Sequence, residues 1–412
     1  MSKQRRRVMK TKKKFFLVTV LASIFISFSS LCGYAKDVRG VTDTMIKIGG
    51  ILDQTGPVAG DITIPVTEGL RNYTRHVNDK GGIFGRKIKV IIEDDRYSIP
   101  GCIAAFKKLL FRDEIFALVG PANTGGAKAL LGQIEKLKVP NLTGAPDEAQ
   151  VNPLKRYIFM PFNLYDDHFG VILDYIVNDL KAKKINATFV YWDSESGKVA
   201  LASVQRWAKF FNFSFNTEII NMGALDAASQ VMSIKRNKPT HILIHHGSPG
   251  TVVLLRDLRK FGLNTPVYGD MITCTEDTVR MGGSASRNYI GTHIFSSWYD
   301  DGKGVEEMRR ITLKYKPGTE MPYRNKMYTL GWLGMCSIFC EALNRAGRDL
   351  SIEGFVTAME SIRDMDTKGL SSPISFSPTN HQGMHRTKLY RADPESGKLV
   401  PITDWRKTPE IK

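Results

Sequence analysis

The sequence predicts an α/β fold built as two similar doubly wound lobes with parallel-sheet cores. Short β-branched runs alternate with amphipathic stretches of about 10–15 residues, the pattern of repeated strand–helix units. This alternation stops and restarts around residues 153–163. The length of 412 residues exceeds one ordinary core, and 42% hydrophobic with 24% charged residues is typical of globular proteins. Together these observations favour two globular lobes.

The first series of units lies between the amino-terminal region and this break. Its strands are short, mostly apolar runs, and its helices place apolar residues three or four positions apart. Strands are predicted at 45–52, 87–93, 115–120 and 139–143, and helices at 65–79, 102–113 and 127–138. Strands joined through helices pair in parallel, so both faces of this sheet should be covered.

The second series follows the break and has the same pattern, after which the chain becomes mostly helical. Strands are predicted at 187–192, 214–220, 241–246, 266–269 and 289–295, and helices at 166–181, 199–211, 227–237 and 251–261. Later helices are predicted at 304–315, 326–346 and 351–362, with a late hairpin at 388–392 and 398–402. The 326–346 stretch is apolar nearly all round, which predicts a buried helix.

The first 35 residues predict a signal peptide. A run of eight Lys and Arg up to Lys14 precedes an apolar stretch, 15–32, and the small residues at 33–35 place cleavage after Ala35. An uncleaved anchor and a lipoprotein modified at Cys32 are the alternatives. Removing these eight charges leaves +9 of the formal +17. We therefore expect an exported protein with no membrane span after signal cleavage, for which nucleic acid is not a partner.

Two loops after first-series strands are candidates for ligand contact, since ligands of parallel sheets bind beyond the carboxyl ends of the strands. One is 53–60, DQTGPVAG, and the other is 120–126, GPANTGG. In the second, Asn123 and Thr124 precede a helix whose free N–H groups and positive dipole end suit a carboxylate. A plain helix cap is the alternative. The loop lacks the Lys-Ser/Thr of a phosphate-binding P-loop.

Asp270 has a similar position in the second series, directly after a predicted strand. Its carboxylate could receive a ligand amine or cap a helix. The WDSESG segment at 192–197 also follows a strand and could face the first lobe.

An enzyme-like segment, HGSPG at 246–250, follows a predicted strand and precedes a helix. This is the context of a nucleophile elbow, which makes a secreted esterase using Ser248 an alternative. The acid and base that acyl transfer requires cannot be singled out. His245 and His246 are adjacent in a strand, so they point to opposite faces and form a poor metal site. We predict neither a metal nor a cofactor.

The chain resembles the periplasmic substrate-binding proteins of branched-chain amino-acid ABC importers, the Leu/Ile/Val-binding type with the type I fold. The resemblance extends from about Ile46 to about Tyr390. Its most specific segment is NDKGGIFGR at 78–86, supported by 46–49, 55–59, 93–95, 118–120, 255–263 and 328–347. It implies two lobes joined by three crossover hinge segments, expected near 162, 295–297 and 372–376.

The resemblance also implies lobe boundaries. The N-terminal lobe should comprise 36–162 plus 297–372, and the C-terminal lobe 163–296 plus 373–412.

The same resemblance implies roles for individual residues. Asn123 and Thr124 would hold a ligand carboxylate, and Ala145 and Asp147 would contact both its carboxylate and its amine. Second-lobe cleft positions fall at Ser196, Gly247 and Ser248. The amine-binding acid of the family falls at Met271, beside Asp270, and the family's disulfide positions fall at Tyr97 and Asn123. These departures leave a different amino acid, an amide or a simple carboxylate open as ligand.

The predicted function is therefore that of a periplasmic solute-binding protein. It would capture a small amino acid or related carboxylate or amide between its lobes and present it to a membrane permease, without catalysis. A periplasmic sensor that signals to a membrane receptor is an alternative that the sequence leaves open.

Overall fold

The first sheet contains five parallel strands. The structure, a computed structural model, describes residues 38–318, 323 and 325–411; the predicted signal peptide and Cys32 lie outside this range. The strand order is β2-β1-β3-β4-β5, and the parallel pairing predicted for this series is confirmed. The strands are β1 (Met45–Ile51), β2 (Lys87–Glu93), β3 (Ala117–Val119), β4 (Asn141–Leu142) and β5 (Ile158–Phe159).

Three helices connect the strands of this sheet. They are α1 (Ile64–Asp79), which continues a π-helical turn at Ala59–Thr63, α2 (Ile99–Phe111) and α3 (Thr124–Lys136). The last two begin three residues before their predicted starts. Apolar periodicity locates a helix by its buried face, whereas Ser98 and Asn123 cap these two helices one turn earlier. The earlier start places Thr124 in the first turn of α3.

The second sheet has a parallel centre and an antiparallel edge. Its order is β12-β11-β10-β9-β8-β6-β7, with β13 pairing to β11. The predicted hairpin is confirmed, because β11 pairs antiparallel with β12. On its other side β11 pairs antiparallel with β10. The strands are β6 (Asn186–Tyr191), β7 (Ser214–Ile219), β8 (His241–His245), β9 (Val267–Gly269), β10 (Tyr289–His293), β11 (Arg386–Asp393), β12 (Lys398–Pro401) and β13 (Arg406–Lys407).

The helices around the second sheet follow the predicted order, with one addition. They are α4 (Tyr165–Asp174), continued by a π-helical turn at Tyr175–Asp179, α5 (Glu195–Phe210), α6 (Ala228–Asn237), α7 (Ser248–Lys260) and α8 (Glu276–Gly282). The short helix α8 and the 3-10 turn after it, Gly283–Asn288, were not predicted from the sequence. Seven residues containing two acids and a glycine give little helical periodicity.

The carboxyl-terminal helices pack on the first lobe. They are α9 (Lys303–Tyr315), α10 (Lys326–Thr329), a π-helical stretch Leu330–Ser337, α11 (Ile338–Ala346) and α12 (Ile352–Glu360). The predicted burial of 326–346 is confirmed, since most of its side chains are enclosed in the largest core cluster. A Cβ on Gly331 would lie 1.9 Å from the carbonyl oxygen of Val66, so this glycine lets the π-helical stretch approach α1 closely.

The chain passes between the two sheets at three places. It leaves the first sheet after β5, at Phe159, and returns to the first lobe after β10, where the Ser296 N–H donates to the Leu370 carbonyl over 2.8 Å. Ile374 and Phe376 belong to the core cluster of the first lobe, and the chain enters the second sheet again at Arg386. The lobe boundaries given by the resemblance stay a prediction. Within the described residues, no helix is both long and apolar enough to cross a membrane.

Candidate ligand-binding site

A cavity lies between the carboxyl ends of the two sheets. Trp192, Met271 and Ile272 close it from the second lobe, and Tyr165 closes it at the passage between lobes. All these residues are largely buried. The first-lobe part of the wall consists of Leu52, Val58, Ile62, Val66, Tyr97, Ala122, Gly144, Pro146, Met327, Leu330 and Met335. Enclosure by both lobes makes this cavity the candidate site, and its wall is overwhelmingly apolar.

The 53–60 loop provides Val58, and buried acids fix its shape. Asp53 accepts hydrogen bonds from the N–H groups of Gly56, at 2.5 Å, and Val58, at 3.0 Å. Asp94 accepts from the Gln54 N–H and the Thr55 hydroxyl. Asp53, Asp94 and Asp95 lie close together, but these bonds to the loop and to its neighbours account for the cluster structurally.

The 120–126 loop approaches the cavity through Ala122, which belongs to its wall. Gly120 has φ +89°, and a Cβ there would lie 2.6 Å from the Ile51 carbonyl, so only glycine allows the turn so close to β1. Asn123 caps α3 by accepting from the Gly126 N–H over 3.0 Å. The N–H groups of Thr124 and Gly125 have no acceptor among the described residues. These two donors and the positive helix end remain available to an anion.

Thr124 adds a buried hydroxyl to this cradle. Only 1% of Thr124 is exposed, and its hydroxyl makes no well-formed hydrogen bond within the described residues, although the Tyr165 hydroxyl lies nearby. Burial raises the pKa of Tyr165 well above its ordinary value. Tyr165 is therefore neutral and able to donate a proton in a hydrogen bond to an acceptor at this end of the cavity.

Ala145 and Asp147 flank the cavity, but both are already engaged. The Ala145 N–H donates to the Thr143 hydroxyl over 3.3 Å. Asp147 accepts from the Ala149 N–H over 3.1 Å, and its other oxygen lies 3.1 Å from the Lys128 ammonium. That ammonium also lies 3.6 Å from Glu195 on α5, so it joins the two lobes.

Ser196 lies on the second-lobe side, behind Trp192. Its hydroxyl accepts from the Trp192 indole N–H over 2.9 Å and interacts with the Tyr97 hydroxyl. The Tyr97 and Trp192 rings are 5.8 Å apart between centroids. Burial raises the pKa of Tyr97 to about 12, so this hydroxyl is also neutral. Ser196 therefore orients two aromatic side chains that line the cavity.

Gly247 and Ser248 begin α7, where the opposite lobe supplies their partner. The Ser248 N–H donates to Asp61 over 2.8 Å, and the Ser248 hydroxyl shares a 2.8 Å hydrogen bond with Thr275. A Cβ on Gly247 would lie 3.5 Å from the same carboxylate. Burial raises the pKa of Asp61 to about 6, while its bonds to Ser248 oppose this rise. Asp61 was missed by the sequence reasoning, because no local pattern distinguishes it from a solvated loop acid.

The environment of Ser248 bears on the esterase alternative. The hydroxyl pairs with a threonine, and the nearby His246 is bonded through Nε2 to the Ile220 carbonyl at 3.0 Å. A Cβ on Gly250 would lie 2.1 Å from the His246 ring, so α7 packs directly on that ring. An acyl-transfer serine needs a base in contact with its hydroxyl. Among the described residues, the contacts of Ser248 do not provide one.

Asp270 is fully buried at the end of β9 and bonded on both oxygens. One oxygen lies 2.5 Å from His245 Nδ1, and the other accepts from the Ile272 N–H over 3.1 Å. The His245 ring packs edge-on against Tyr165, 4.7 Å away, and against Trp192. The carboxylate therefore anchors His245 behind the cavity wall, while Met271 faces the cavity itself.

Comparison with known proteins identifies the family. The model of the family described as periplasmic binding protein matches residues 45–398. The chain belongs to this family. The resemblance derived from the sequence and the two-lobed α/β fold are thereby confirmed.

Curated relatives and solved structures agree with this assignment. An amino acid binding protein of Pseudomonas aeruginosa is 24% identical over 81% of this chain and 86% of its own length. A Leu/Ile/Val-binding protein of Rhizobium johnstonii is 23% identical over 86% and 93%. A branched-chain amino acid transporter protein of Thermus thermophilus with bound valine has a TM-score of 0.82 at 19% identity, covering 89% of this chain and 97% of that one.

A second solved structure was described for a different solute. It is a fatty acid ABC transporter substrate-binding protein of Thermomonospora curvata, with a TM-score of 0.79 at 22% identity, covering 90% of this chain and 95% of that one. Both structural likenesses establish the fold, and neither establishes the ligand.

Proposed function

We propose that the protein is an exported solute-binding component of an ABC importer, which captures a small carboxylated solute between its lobes and delivers it to a membrane permease. The observation that carries this proposal is the cavity enclosed by both lobes, with the free donors of Thr124 and Gly125 beside it. The relatives named for amino acid and fatty acid binding support the role. Their differing solutes leave the ligand to be decided by this site.

Binding would be coupled to closure of the lobes. A solute that contacts Thr124 on one side and Trp192 on the other stabilises the arrangement in which both lobes meet. Such a ligand shifts the population of a hinged protein toward its closed state. A permease that recognises the closed state would then receive only loaded protein.

A thermal-shift screen of the purified protein tests solute binding. The panel contains amino acids, primary amides, and aliphatic and aromatic carboxylates. A ligand at 100 times its dissociation constant stabilises the fold by about 2.7 kcal/mol, which is measurable as a rise in melting temperature. A folded protein that responds to no compound in this panel would contradict the proposal.

The variant Thr124→Ala tests the carboxylate cradle. We expect it to weaken binding of the best compound by ~1–3 kcal/mol through loss of a charge-assisted hydrogen bond, as measured by isothermal titration calorimetry. Thr124→Ser retains the hydroxyl and should bind nearly as well as the wild type. Ser203→Ala is the matched control in the other lobe, because this hydroxyl donates to the Val199 carbonyl within α5. Unchanged affinity in Thr124→Ala would remove the hydroxyl from the site.

Uptake measurements separate transport from sensing. A strain that lacks the gene should lose uptake of the compound that the protein binds. Normal uptake, together with a lost transcriptional or chemotactic response to the same compound, would favour the sensor alternative.

A further inference from the structure

The cavity offers no carboxylate to a ligand amine. None of the described residues that line it is an acid. Met271 lies in its wall, where only 1% of the residue is exposed. A methionine side chain has no capacity to pair with an ammonium group.

The buried acids near the cavity are already bonded within the protein, and Asp53 accepts from the N–H groups of Gly56 and Val58. Asp61 accepts from the Ser248 N–H, and Asp147 pairs with Lys128 and caps a turn. Asp270 is bonded to His245 and to the Ile272 N–H. Turning any of them toward a ligand would leave its present partner buried and unpaired, which costs free energy.

An ammonium group enclosed in this cavity would therefore lose its hydration without gaining a counter-charge. Burial of an unpaired charge costs several kcal/mol. A carboxylate differs, because the N–H groups of Thr124 and Gly125 and the Thr124 hydroxyl can receive it. The cavity thus discriminates between the two charged groups of an amino acid.

The remaining wall suits a hydrocarbon body. Leu52, Val58, Ile62 and Val66 form one side, and Met327, Leu330 and Met335 continue it from the π-helical stretch and α10. Trp192 adds an aromatic side chain to the wall from the second lobe. Methionine side chains adapt to ligands of irregular shape, so a branched chain and a phenyl ring could both pack here.

We propose that the ligand is an amine-free carboxylate with an apolar body, held by its carboxylate at the first turn of α3 and by its hydrocarbon part against the apolar wall. This inference rests on the proposed function, because it specifies the solute of the same site. It excludes the branched-chain amino acids themselves as preferred ligands.

Matched pairs of compounds that differ only in the amine test the inference. The pairs are leucine with 4-methylpentanoate, and phenylalanine with 3-phenylpropanoate. Isothermal titration of the purified protein should show at least tenfold tighter binding of the amine-free member of at least one pair. A neutral compound, 4-methylpentanamide, should bind more weakly than 4-methylpentanoate.

A variant at Met271 tests whether the cavity wall causes the preference for the amine-free acid. Met271→Glu places a carboxylate in the wall and should reduce the preference for the amine-free acid at least tenfold, whereas Met271→Leu should keep it. Circular dichroism would verify that both variants fold. An unchanged preference in folded Met271→Glu would overturn the assignment of selectivity to this wall.

The outcomes separate this inference from the proposed function. If leucine and phenylalanine each bind as tightly as their amine-free partners, the inference is wrong and solute binding stands. An amide that binds as tightly as the acid would overturn the carboxylate assignment. If no member of either pair binds, this inference fails, while the wider thermal-shift panel still decides whether the protein binds small solutes at all.

Discussion

Two helices that begin beside the ligand cavity differ in what meets their first turn. Helix α3 of the first lobe begins at Thr124, and α7 of the second lobe begins at Ser248, each directly after a strand and a short loop. The N–H groups of Thr124 and Gly125 in the first turn of α3 have no acceptor among the described residues, whereas the Ser248 N–H donates to Asp61 across the lobe interface. The protein itself supplies the anion at the start of α7, whereas no described residue does so for Thr124 and Gly125 at the start of α3.

This difference explains how similar sequence patterns acquire separate roles. Both loops contain glycines and a hydroxyl residue, and both are favourable places for an anion. The start of α7 holds the lobes together, because its anion comes from the opposite lobe. The start of α3 remains available for recognition, because the nearest carboxylates, Asp147 and Glu195, are held by Lys128.

Removing the Asp270 carboxylate, which lies behind the loop before α7, should have the largest effect on stability. His245, two residues before Gly247, is held by Asp270 with both side chains fully buried. We expect Asp270→Ala to reduce the free energy of unfolding by about 3–5 kcal/mol, since it leaves a buried imidazole without its partner. Urea denaturation measures the loss.

Two further variants control this result. Asp270→Asn keeps an acceptor for His245 and should lose less stability. Asp193→Ala, an exposed acid after the neighbouring strand β6, should change stability by no more than about 0.5 kcal/mol. A similar loss in Asp193→Ala and Asp270→Ala would show that the buried pair is not the cause.

The stability that Asp61 contributes at the start of α7 should depend on pH. Burial raises the pKa of this carboxyl from 3.8 to about 6, so the folded protein binds its proton more tightly than the unfolded chain. The stability contribution of Asp61 is then complete below about pH 4 and is lost as the pH rises through about 6. From pH 4 to pH 7 the loss should be about 2 kcal/mol relative to Asp61→Asn, whose side chain does not titrate.

Urea unfolding of the wild type and Asp61→Asn across this pH range isolates the effect, because all other groups titrate in both proteins. Asp193→Asn serves as an exposed control and should follow the wild type. If the wild type and Asp61→Asn show the same pH dependence, the carboxyl has no raised pKa in the folded protein.

The smallest effect is expected at the ion pair that crosses between the lobes beside α3. Lys128 and Glu195 are 3.6 Å apart, and their side chains are 35% and 38% exposed. Solvent screens such a pair, so Glu195→Gln should reduce stability by less than about 1 kcal/mol, and the difference should vanish at about 1 M salt.

Lys198→Ala provides the control, because Lys198 pairs with Glu195 within α5 and not across the lobes. It should leave ligand affinity unchanged, whereas Glu195→Gln should lower that affinity slightly at low salt. A large, salt-independent loss of stability in Glu195→Gln would contradict the interpretation of this contact as a solvent-screened ion pair.

Much of the fold could be predicted from the sequence, because its signals are local. The bounds of β2 agree with the prediction, as does the buried helical stretch from Lys326 to Ala346. The starts of α2, α3 and α7 were placed about one turn late, since the residues that open a helix lie outside its apolar pattern. Ser98 and Asn123 cap α2 and α3, and α7 opens on Ser248, Pro249 and Gly250. Helix α8 escaped prediction because it is too short to show a period.

The sequence by itself determined the family, the alternation of strands and helices, and the loops that could face a ligand. Only the tertiary structure decided which polar groups remain available there. Asp270, Asp147 and Ser248 all have suitable chemistry in sequence, but His245, Lys128 and Asp61 occupy them from positions 19 to 187 residues away. A hydrogen bond satisfies a group wherever its partner lies in the chain, so the availability of a binding group depends on packing between the lobes.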